Sequence, residues 1–183
     1  MKSNFLKNVL VIFVLILFGN GCTFAEQKEH SMIISTQSFE NNGYIGQNQA
    51  YKRCGGDNVS PDLSWSEFPK NTKSFAIVCH DPDAPVAGGW YHWVLINIPV
   101  SQTKLEKGEI PQEAHLLQND FGEFAYGGPC PPVGHGIHHY NFTVYALDVE
   151  NLDIADNVSA READKIIKSH ALSSAAVTGI FKR

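Results

Sequence analysis

Two stretches of this chain decide its fold. The first is Asp81-Pro-Asp-Ala-Pro85 followed by Gly88-Gly-Trp-Tyr-His92, and the second is Tyr126-Gly-Gly-Pro-Cys-Pro-Pro132 followed by Gly134-His-Gly-Ile-His-His-Tyr140. Both place acids, histidines and aromatic residues beside prolines, which fix φ, and glycines, which permit backbone shapes that other residues avoid. Rigid turns that carry titratable groups at strand ends can build a small polar pocket. We therefore expect one pocket where the two stretches meet.

Apolar runs beside these turns predict the strands. Ser74–His80, Trp90–Ile98 and His138–Leu147 read as buried strands, and Met32–Phe39 is a weaker fourth. Ser159–Glu162 has the pattern of a capping box and is followed by apolar residues at helical spacing, which predicts a helix. Dominant strands with few helices placed late in the chain are typical of an antiparallel β-sandwich with peripheral helices.

The strand pattern also predicts which side chains converge. Alternation gives two shared faces: Trp90, His92, Val94 and Ile96 in the second run, and His138, Tyr140, Phe142 and Val144 in the third. His92 and His138 can meet if their strands are neighbours, and Asp81 lies where its strand stops before a proline. Histidine and tyrosine donate hydrogen bonds, and an acid orients a histidine or receives an amine, so this set can form an anion site.

Two expectations about pH and mutation follow from an anion site of this kind. Protonated imidazoles should strengthen anion binding as the pH falls from about 8 towards 6, because an unperturbed histidine titrates near 6.5. We expect His135 and His139 to be solvated. His138→Ala should therefore weaken binding more than His135→Ala.

The sequence supports an enzymatic function less well than a binding function. His135, His138 and His139 with Asp81 or His92 could hold zinc, but a strand points residues 138 and 139 to opposite faces. The sequence contains no GxSxG elbow, GxGxxG fingerprint or P-loop. An acid with histidines and a tyrosine can support general acid–base chemistry, yet no nucleophile can be named. We predict a non-enzymatic binding site without metal or cofactor, and a hydrolase of unknown specificity is an alternative.

Composition limits the class of partner. The chain has 183 residues, of which 43% are hydrophobic and 18% charged, as in a globular protein with a core. The formal net charge of −5 argues against a nucleic-acid partner, because a phosphate backbone requires a basic face. No repeat or linker divides the chain after its N-terminal segment. We therefore expect a single domain over residues 32–183.

The N-terminus has the pattern of an export signal. Lys2 and Lys7 precede the apolar run Val9–Phe18, which is too short to span a bilayer but suits the core of a signal peptide. Gly19-Asn-Gly-Cys22 then resembles a bacterial lipoprotein cleavage site, with Cys22 as the lipidated residue. Ordinary cleavage after Ala25 is the alternative. We interpret residues 1–22 as the signal peptide and residues 23–31 as a polar tether.

Export would place the cysteines in an oxidising compartment. Cys79 lies in an apolar strand and is predicted to be a buried small hydrophobic residue. Cys54 and Cys130 both lie in glycine-rich loops, and secreted proteins rarely leave loop thiols exposed. We predict a Cys54–Cys130 disulfide, and three free thiols are the alternative.

The motifs together resemble a known family. DPDAP (81–85), GGWYHWVLINIP (88–99) and YGGPCPPVGHGIHHYNFTVYALD (126–148), in that order and with NVSPDLSW (58–65), resemble the phosphatidylethanolamine-binding protein family in its bacterial Raf-kinase-inhibitor-like branch, the YbhB/YbcL type. The resemblance implies a β-sandwich around a large central sheet, and a pocket for phosphoryl groups such as a phosphoethanolamine head. The lining residues it implies are Asp81, Pro85, Trp90, His92, Gly128, Pro131, Pro132, His138 and Tyr140.

The expected function is that of an exported binding protein, in the periplasm or anchored to a membrane only through an N-terminal lipid. Its ligand would be small and phosphorylated or anionic, and we also expect an unidentified protein partner. The alternative is an inhibitor or signalling modulator that acts by protein contact, with the pocket as a regulatory site.

The lipoprotein interpretation predicts that the mature protein begins at Cys22 and carries lipid. The Cys22→Ala variant should lose membrane association and remain soluble in the exported fraction. Mass spectrometry of the mature N-terminus tests this, and a terminus at Glu26 would reject lipidation while keeping export.

Overall fold

The computed structural model describes residues 31–183. The predicted signal peptide, Cys22 and all but the last residue of the predicted tether lie outside the described residues. The elements, in chain order, are β1 (Ile33–Ser35), β2 (Gly43–Tyr44), 3₁₀ helices at Gln47–Gln49 and Lys52–Cys54, β3 (Leu63–Ser66), β4 (Ser74–Asp81), β5 (Trp90–Pro99), β6 (Lys104–Leu105), β7 (His115–Leu116), β8 (His138–Leu147), α1 (Ala160–Ser169) and β9 (Ala171–Phe181).

The strands form two sheets. The larger has six strands in the order β2-β9-β8-β4-β5-β7, and the smaller has three in the order β1-β3-β6. The prediction of a mainly β sandwich around a large central sheet with few helices is confirmed. One detail differs, because β2 pairs with β9 in parallel and every other recorded pair is antiparallel. The large sheet is therefore mixed.

Apolar side chains cover both faces of the large sheet. One cluster lies between the two sheets and includes Trp65 and Leu105 from the smaller sheet with Phe75 from β4. The other lies under α1 and joins Ala76 of β4 to Ile167 of the helix. Because β4 is central and covered on both sides, its sequence is a nearly continuous apolar run rather than an alternating one.

The helix begins where its sequence predicts. The Ser159 hydroxyl caps it by accepting a hydrogen bond of 3.2 Å from the backbone nitrogen of Glu162. The Glu162 carboxylate accepts instead from Lys165, at 3.1 Å, so the reciprocal half of the predicted capping box is not used.

Two strand predictions need correction. The predicted strand Met32–Phe39 is shorter and covers only Ile33–Ser35. The 11-residue strand β9 has no counterpart in the sequence analysis, because its Ala-Leu-Ser-Ser-Ala-Ala beginning offers no apolar run. It is a strand because it pairs with β8 along almost the whole length of β8. Long-range pairing therefore decides the conformation of this segment.

A β-bulge at His92 changes the predicted faces of β5. Two successive pairs across β4 and β5 are Cys79–Trp93 and His80–Tyr91. His92 consequently has no partner on β4, and the alternation of side chains shifts by one residue.

The shift separates residues that simple alternation placed together. The His92 ring lies 5.0 Å from the Tyr140 ring, on the face between the sheets. Val94 and Ile96 belong to the cluster under the helix, so the prediction that they share a face with His92 is wrong. The bulge allows His92 to face the start of β8. The residues after it alternate between the two cores, with Trp93 and Leu95 in the cluster between the sheets and Val94 and Ile96 in the cluster under the helix.

A disulfide joins Cys54 to Cys130 across 76 residues of sequence, and Cys79 is free and buried.

The double variant Cys54→Ser/Cys130→Ser should lower the free energy of unfolding by about 2–4 kcal/mol, because the bridge restricts the unfolded chain. Urea unfolding with and without a reductant tests this: the reductant should destabilise the wild type and leave the double variant unchanged. Alkylation of denatured, non-reduced protein should label Cys79 alone of these three residues, and labelling of all three would reject the bridge.

Candidate ligand-binding site

A cavity of about 210 Å³ lies where β4 ends and where β5 and β8 begin. Its wall is formed by Asp81, Ala84, Pro85, Val86, Trp90, His92, Phe121, Cys130, Pro131, Pro132, His138 and Tyr140. Eight of the nine residues that the sequence analysis assigned to a pocket are in this wall; the exception is Gly128. The structure thus brings the two stretches of sequence together around one cavity.

Asp81 is the buried acid of the cavity, with 3% of its surface exposed. Its Oδ2 accepts a hydrogen bond of 2.7 Å from Nδ1 of His138, which joins the end of β4 to the start of β8. Its Oδ1 accepts one of 2.9 Å from the backbone nitrogen of Asp83, which fixes the turn after β4. One carboxylate therefore positions both a strand end and a turn.

His138 extends this contact towards the surface. Its Nε2 lies 2.7 Å from Nδ1 of His135, so one of these two nitrogens donates to the other. His135 is exposed, as expected, but it contacts a residue of the cavity wall rather than solvent alone. The sequence analysis missed this contact, because residues 134–137 form an irregular turn that periodicity does not describe.

His92 is held by the loop that follows Tyr126. Its Nδ1 lies 2.6 Å from the carbonyl oxygen of Gly127. A carbonyl only accepts, so Nδ1 carries the proton, and in the neutral ring Nε2 carries a lone pair. Nε2 lies 4.0 Å from Oδ2 of Asp81.

Burial keeps His92 uncharged. It lowers the pKa of the His92 imidazole to about 4, although the Gly127 carbonyl and the Asp81 carboxylate act to raise it. The expectation that His92 becomes a charged partner for an anion between pH 8 and 6 is therefore wrong. Strand periodicity placed the ring correctly, but it carries no information on how completely a side chain is removed from water.

Two hydrogen-bond donors in the wall have no partner. The Tyr140 hydroxyl and Nε1 of Trp90 are both buried, and neither forms a hydrogen bond of normal length and angle within the described part of the chain. The Asp81 carboxylate and the backbone of Cys130 lie close to the Tyr140 hydroxyl but outside those limits. Burial, with the nearby Asp81 carboxylate, raises the pKa of the Tyr140 hydroxyl, which therefore keeps its proton. Buried donors normally find an acceptor, so their place in a cavity wall indicates that a ligand or water supplies one.

The wall contains no lysine or arginine. Its one carboxylate, Asp81, is the only acidic side chain among the lining residues. Within residues 31–183 no group of three or more histidine, cysteine, aspartate or glutamate side chains is placed to hold a metal ion. Any attraction of the wall for an anion must therefore come from its histidines and its neutral donors.

Gly128 supports the wall from behind and does not line the cavity. Its backbone nitrogen donates to Oδ1 of Asn58 at 2.7 Å, and Nδ2 of Asn58 donates to the Tyr126 carbonyl at 2.6 Å. A Cβ on Gly128 would lie 2.0 Å from the carbonyl oxygen of Gln49, which leaves room only for glycine. The place of Gly128 in the family motif therefore reflects packing of this loop. The sequence analysis did not identify Asn58 as the residue that holds the loop through hydrogen bonds.

Phe121 is a wall residue that the sequence analysis missed. It follows Asn119, whose Oδ1 accepts hydrogen bonds from the backbone nitrogens of Phe121 and Glu123. The Phe121 ring meets His92 edge-on at 5.3 Å and stacks on Tyr51 at 4.2 Å. The sequence Asn119-Asp-Phe-Gly122 does predict a turn that supports the pocket, but it does not show which side chain of the turn enters the wall.

Asp83 and His139 pair outside the cavity. Asp83 Oδ2 accepts from both the backbone nitrogen and Nδ1 of His139, at 2.8 and 2.7 Å. This pair ties the turn after β4 to β8 from the side opposite to His138. His139 is therefore exposed but bonded, rather than simply solvated.

The neutral, buried His92 predicts a loss of stability in acid. Its pKa in the folded state, about 4, lies below the value of 6.5 for an unperturbed histidine. The unfolded chain therefore binds an extra proton between these values, and the free energy of unfolding should fall by up to about 1.4 kcal/mol for each pH unit of decrease. Urea unfolding at several pH values should show this slope in the wild type and a shallower one in His92→Gln. Tyr140→Phe, which alters the same ring contact without removing a group that titrates here, should keep the wild-type slope; equal slopes in all three proteins would contradict a buried neutral His92.

Comparison with known proteins agrees with this architecture. The family model described as phosphatidylethanolamine-binding protein matches residues 35–182. YbhB of Escherichia coli is 40% identical over 132 residues, which cover 69% of this chain and 83% of YbhB. The candidate lipoprotein LppC of Mycobacterium tuberculosis is 37% identical over 129 residues, which cover 70% of this chain and 63% of LppC. The crystal structure of Escherichia coli YbcL, described as a member of the mammalian PEBP family, superposes with a TM-score of 0.80 and 33% identity over 84% of this chain and 99% of YbcL. The chain belongs to the phosphatidylethanolamine-binding protein family.

Proposed function

We propose that the protein is an exported, non-enzymatic binding protein that holds a small phosphorylated or otherwise anionic ligand in the cavity beside Asp81. The observation that carries this proposal is the pair of buried donors without partners, the Tyr140 hydroxyl and Nε1 of Trp90, in the wall of that cavity. An unsatisfied buried donor costs about 1–3 kcal/mol, and a ligand oxygen would remove that cost. Oxyanions offer several acceptor oxygens in a small volume.

The size of the cavity supports a compact ligand. At about 210 Å³ it is smaller than the 300–1,000 Å³ that is usual for sites of drug-sized molecules. A phosphoryl or similar headgroup would fit this space, and the rest of a larger ligand would extend past Pro85 and Pro132 at the ends of the lining loops.

The lining residues favour binding over covalent catalysis. No serine or threonine is among them. The one cysteine, Cys130, is held in the disulfide with Cys54 and is therefore not available as a thiolate nucleophile. A hydrolase of unknown specificity would need its nucleophile to come from water or from outside this wall.

Export is supported by three independent features. The N-terminal sequence has the charge and apolar pattern of a signal peptide. The described domain contains a disulfide, which persists in oxidising compartments. The related protein LppC is named as a candidate lipoprotein.

A second candidate function, inhibition or modulation by protein contact, is favoured by exposed apolar residues next to the cavity wall. Val133 follows Pro132 and is 78% exposed, and Ile137 precedes His138 and is 45% exposed. Cross-linking in envelope extracts would test this, with Val133→Asp as the variant that should lose a specific partner. Leu172→Asp, at the start of β9 beside the end of β8 that is far from the cavity, is the control.

The donors of the wall give the sharpest test of ligand binding. Tyr140→Phe and Trp90→Phe should each weaken binding of inorganic phosphate by about 10- to 100-fold, because each removes a hydrogen bond to a charged group. Isothermal titration calorimetry on the full chain would measure this.

The chain offers matched controls for these two variants. Tyr126 and Trp65 also carry buried donors without partners, but neither lines the cavity. Tyr126→Phe and Trp65→Phe should therefore leave phosphate binding unchanged. Equal losses in the controls, or no binding of phosphate or phosphoethanolamine to the wild type, would reject the proposal.

A further inference from the structure

The cavity wall presents two acceptor atoms to the same space. Nε2 of His92 carries a lone pair, because Nδ1 holds the proton and donates it to the Gly127 carbonyl at 2.6 Å. Oδ2 of Asp81 lies 4.0 Å from that nitrogen. Two acceptors cannot satisfy each other, so each needs a donor from elsewhere.

The protein supplies a donor to only one of them. Nδ1 of His138 donates to Oδ2 of Asp81 at 2.7 Å. Within residues 31–183, the His92 ring forms its one hydrogen bond of normal geometry through Nδ1, and Nε2 forms none. The polar and aromatic groups around the His92 ring are Asp81 and His80 from β4, Tyr140 from β8, and Gly127, Gly128 and Phe121 from the loop before β8. His138 reaches the same carboxylate oxygen of Asp81.

We propose that the site selects ligands that bring their own proton: a phosphoryl group with an acidic hydroxyl is bound in preference to sulfate or a phosphodiester, with Nε2 of His92 and Oδ2 of Asp81 as the accepting atoms. This inference rests on the proposed function and narrows its ligand class. The ligand hydroxyl donates to the acceptor pair, while the remaining oxygens accept from the Tyr140 hydroxyl and Nε1 of Trp90.

The neighbouring charges reinforce this selection. A fully deprotonated oxyanion would place lone pairs against the Asp81 carboxylate, and no lysine or arginine lines the cavity to offset the repulsion. A lone ammonium would satisfy the acceptors but leave the Tyr140 and Trp90 donors without a partner. A protonated phosphoryl group satisfies both sets in one compact unit.

The decisive comparison is inorganic phosphate against sulfate at pH 7, by calorimetry on the full chain. Both are tetrahedral oxyanions of similar size, but at pH 7 phosphate retains one or two protons and sulfate has none. Phosphate should bind at least about tenfold more tightly, the effect of one hydrogen bond to a charged group. Equal affinities would overturn the inference while leaving the proposed function in place, whereas no binding of either ion would overturn both.

A pH series separates free phosphomonoesters from lipid-type headgroups. Glycerol phosphate, a monoester, loses its last proton with a pKa of about 6, so its affinity should fall at least about tenfold between pH 5.5 and 8. Glycerophosphoethanolamine, a diester with an ammonium group, has no acidic proton on its phosphate and should bind weakly at both values. A diester that binds as tightly as the monoester at pH 5.5 would contradict the proposal.

Exchange of the acceptor tests the residues directly. Asp81→Asn replaces the carboxylate with an amide that can donate, so it should bring the phosphate-to-sulfate affinity ratio close to one. Asp83→Asn is the matched control, since Asp83 lies in the same turn but bonds to His139 outside the wall, and it should keep the wild-type ratio. An unchanged phosphate-to-sulfate ratio in a folded Asp81→Asn variant would reject Asp81 as an accepting residue. If that variant does not fold, His92→Phe should lower the ratio instead, because it keeps the ring contacts and removes the accepting nitrogen.

Discussion

The hydrogen bond between Asp81 and His138 is the contact on which the site depends. It joins the last residue of β4 to the first residue of β8 inside the protein, over 2.7 Å. Because the second carboxylate oxygen of Asp81 also fixes the following turn, one side chain sets the relative positions of the strand ends and of the proline-rich loop beside them. A buried carboxylate with satisfied oxygens is stable there, whereas loss of either partner would leave an uncompensated polar group.

The charges around this contact are unusual for a site that is proposed to bind an anion. The wall holds one acid, no lysine or arginine, and two histidines, of which burial keeps His92 neutral. In the proposed function, recognition relies on placed dipoles, the Tyr140 hydroxyl and the Trp90 indole, which are stronger in a protein interior than in water. Such a site gains selectivity from the number and position of protons rather than from net charge.

Much of this arrangement could be predicted from the sequence, and the failures have definite causes. The long apolar runs of β4, β5 and β8 gave their strands correctly, because those runs are buried by both sheets or by the helix. The strand β9 was missed since its small and polar residues become a strand only through pairing with β8. The bulge at His92 could not be foreseen from alternation, which assumes an uninterrupted ladder. The family motif located eight wall residues, but it could not distinguish Gly128, which packs behind the loop, from residues that line the cavity.

The central claim is that His92 is neutral at pH 7, with its proton on Nδ1 and a free lone pair on Nε2 beside Asp81. Nitrogen NMR of protein labelled with ¹⁵N-histidine reports the protonation of each ring nitrogen separately. At pH 7 without ligand, the account predicts a protonated Nδ1 and an unprotonated Nε2 for His92, with a shift of the Nε2 signal when phosphate is added and no comparable shift with sulfate. A doubly protonated His92 at pH 7, or a proton on Nε2 alone, would contradict it.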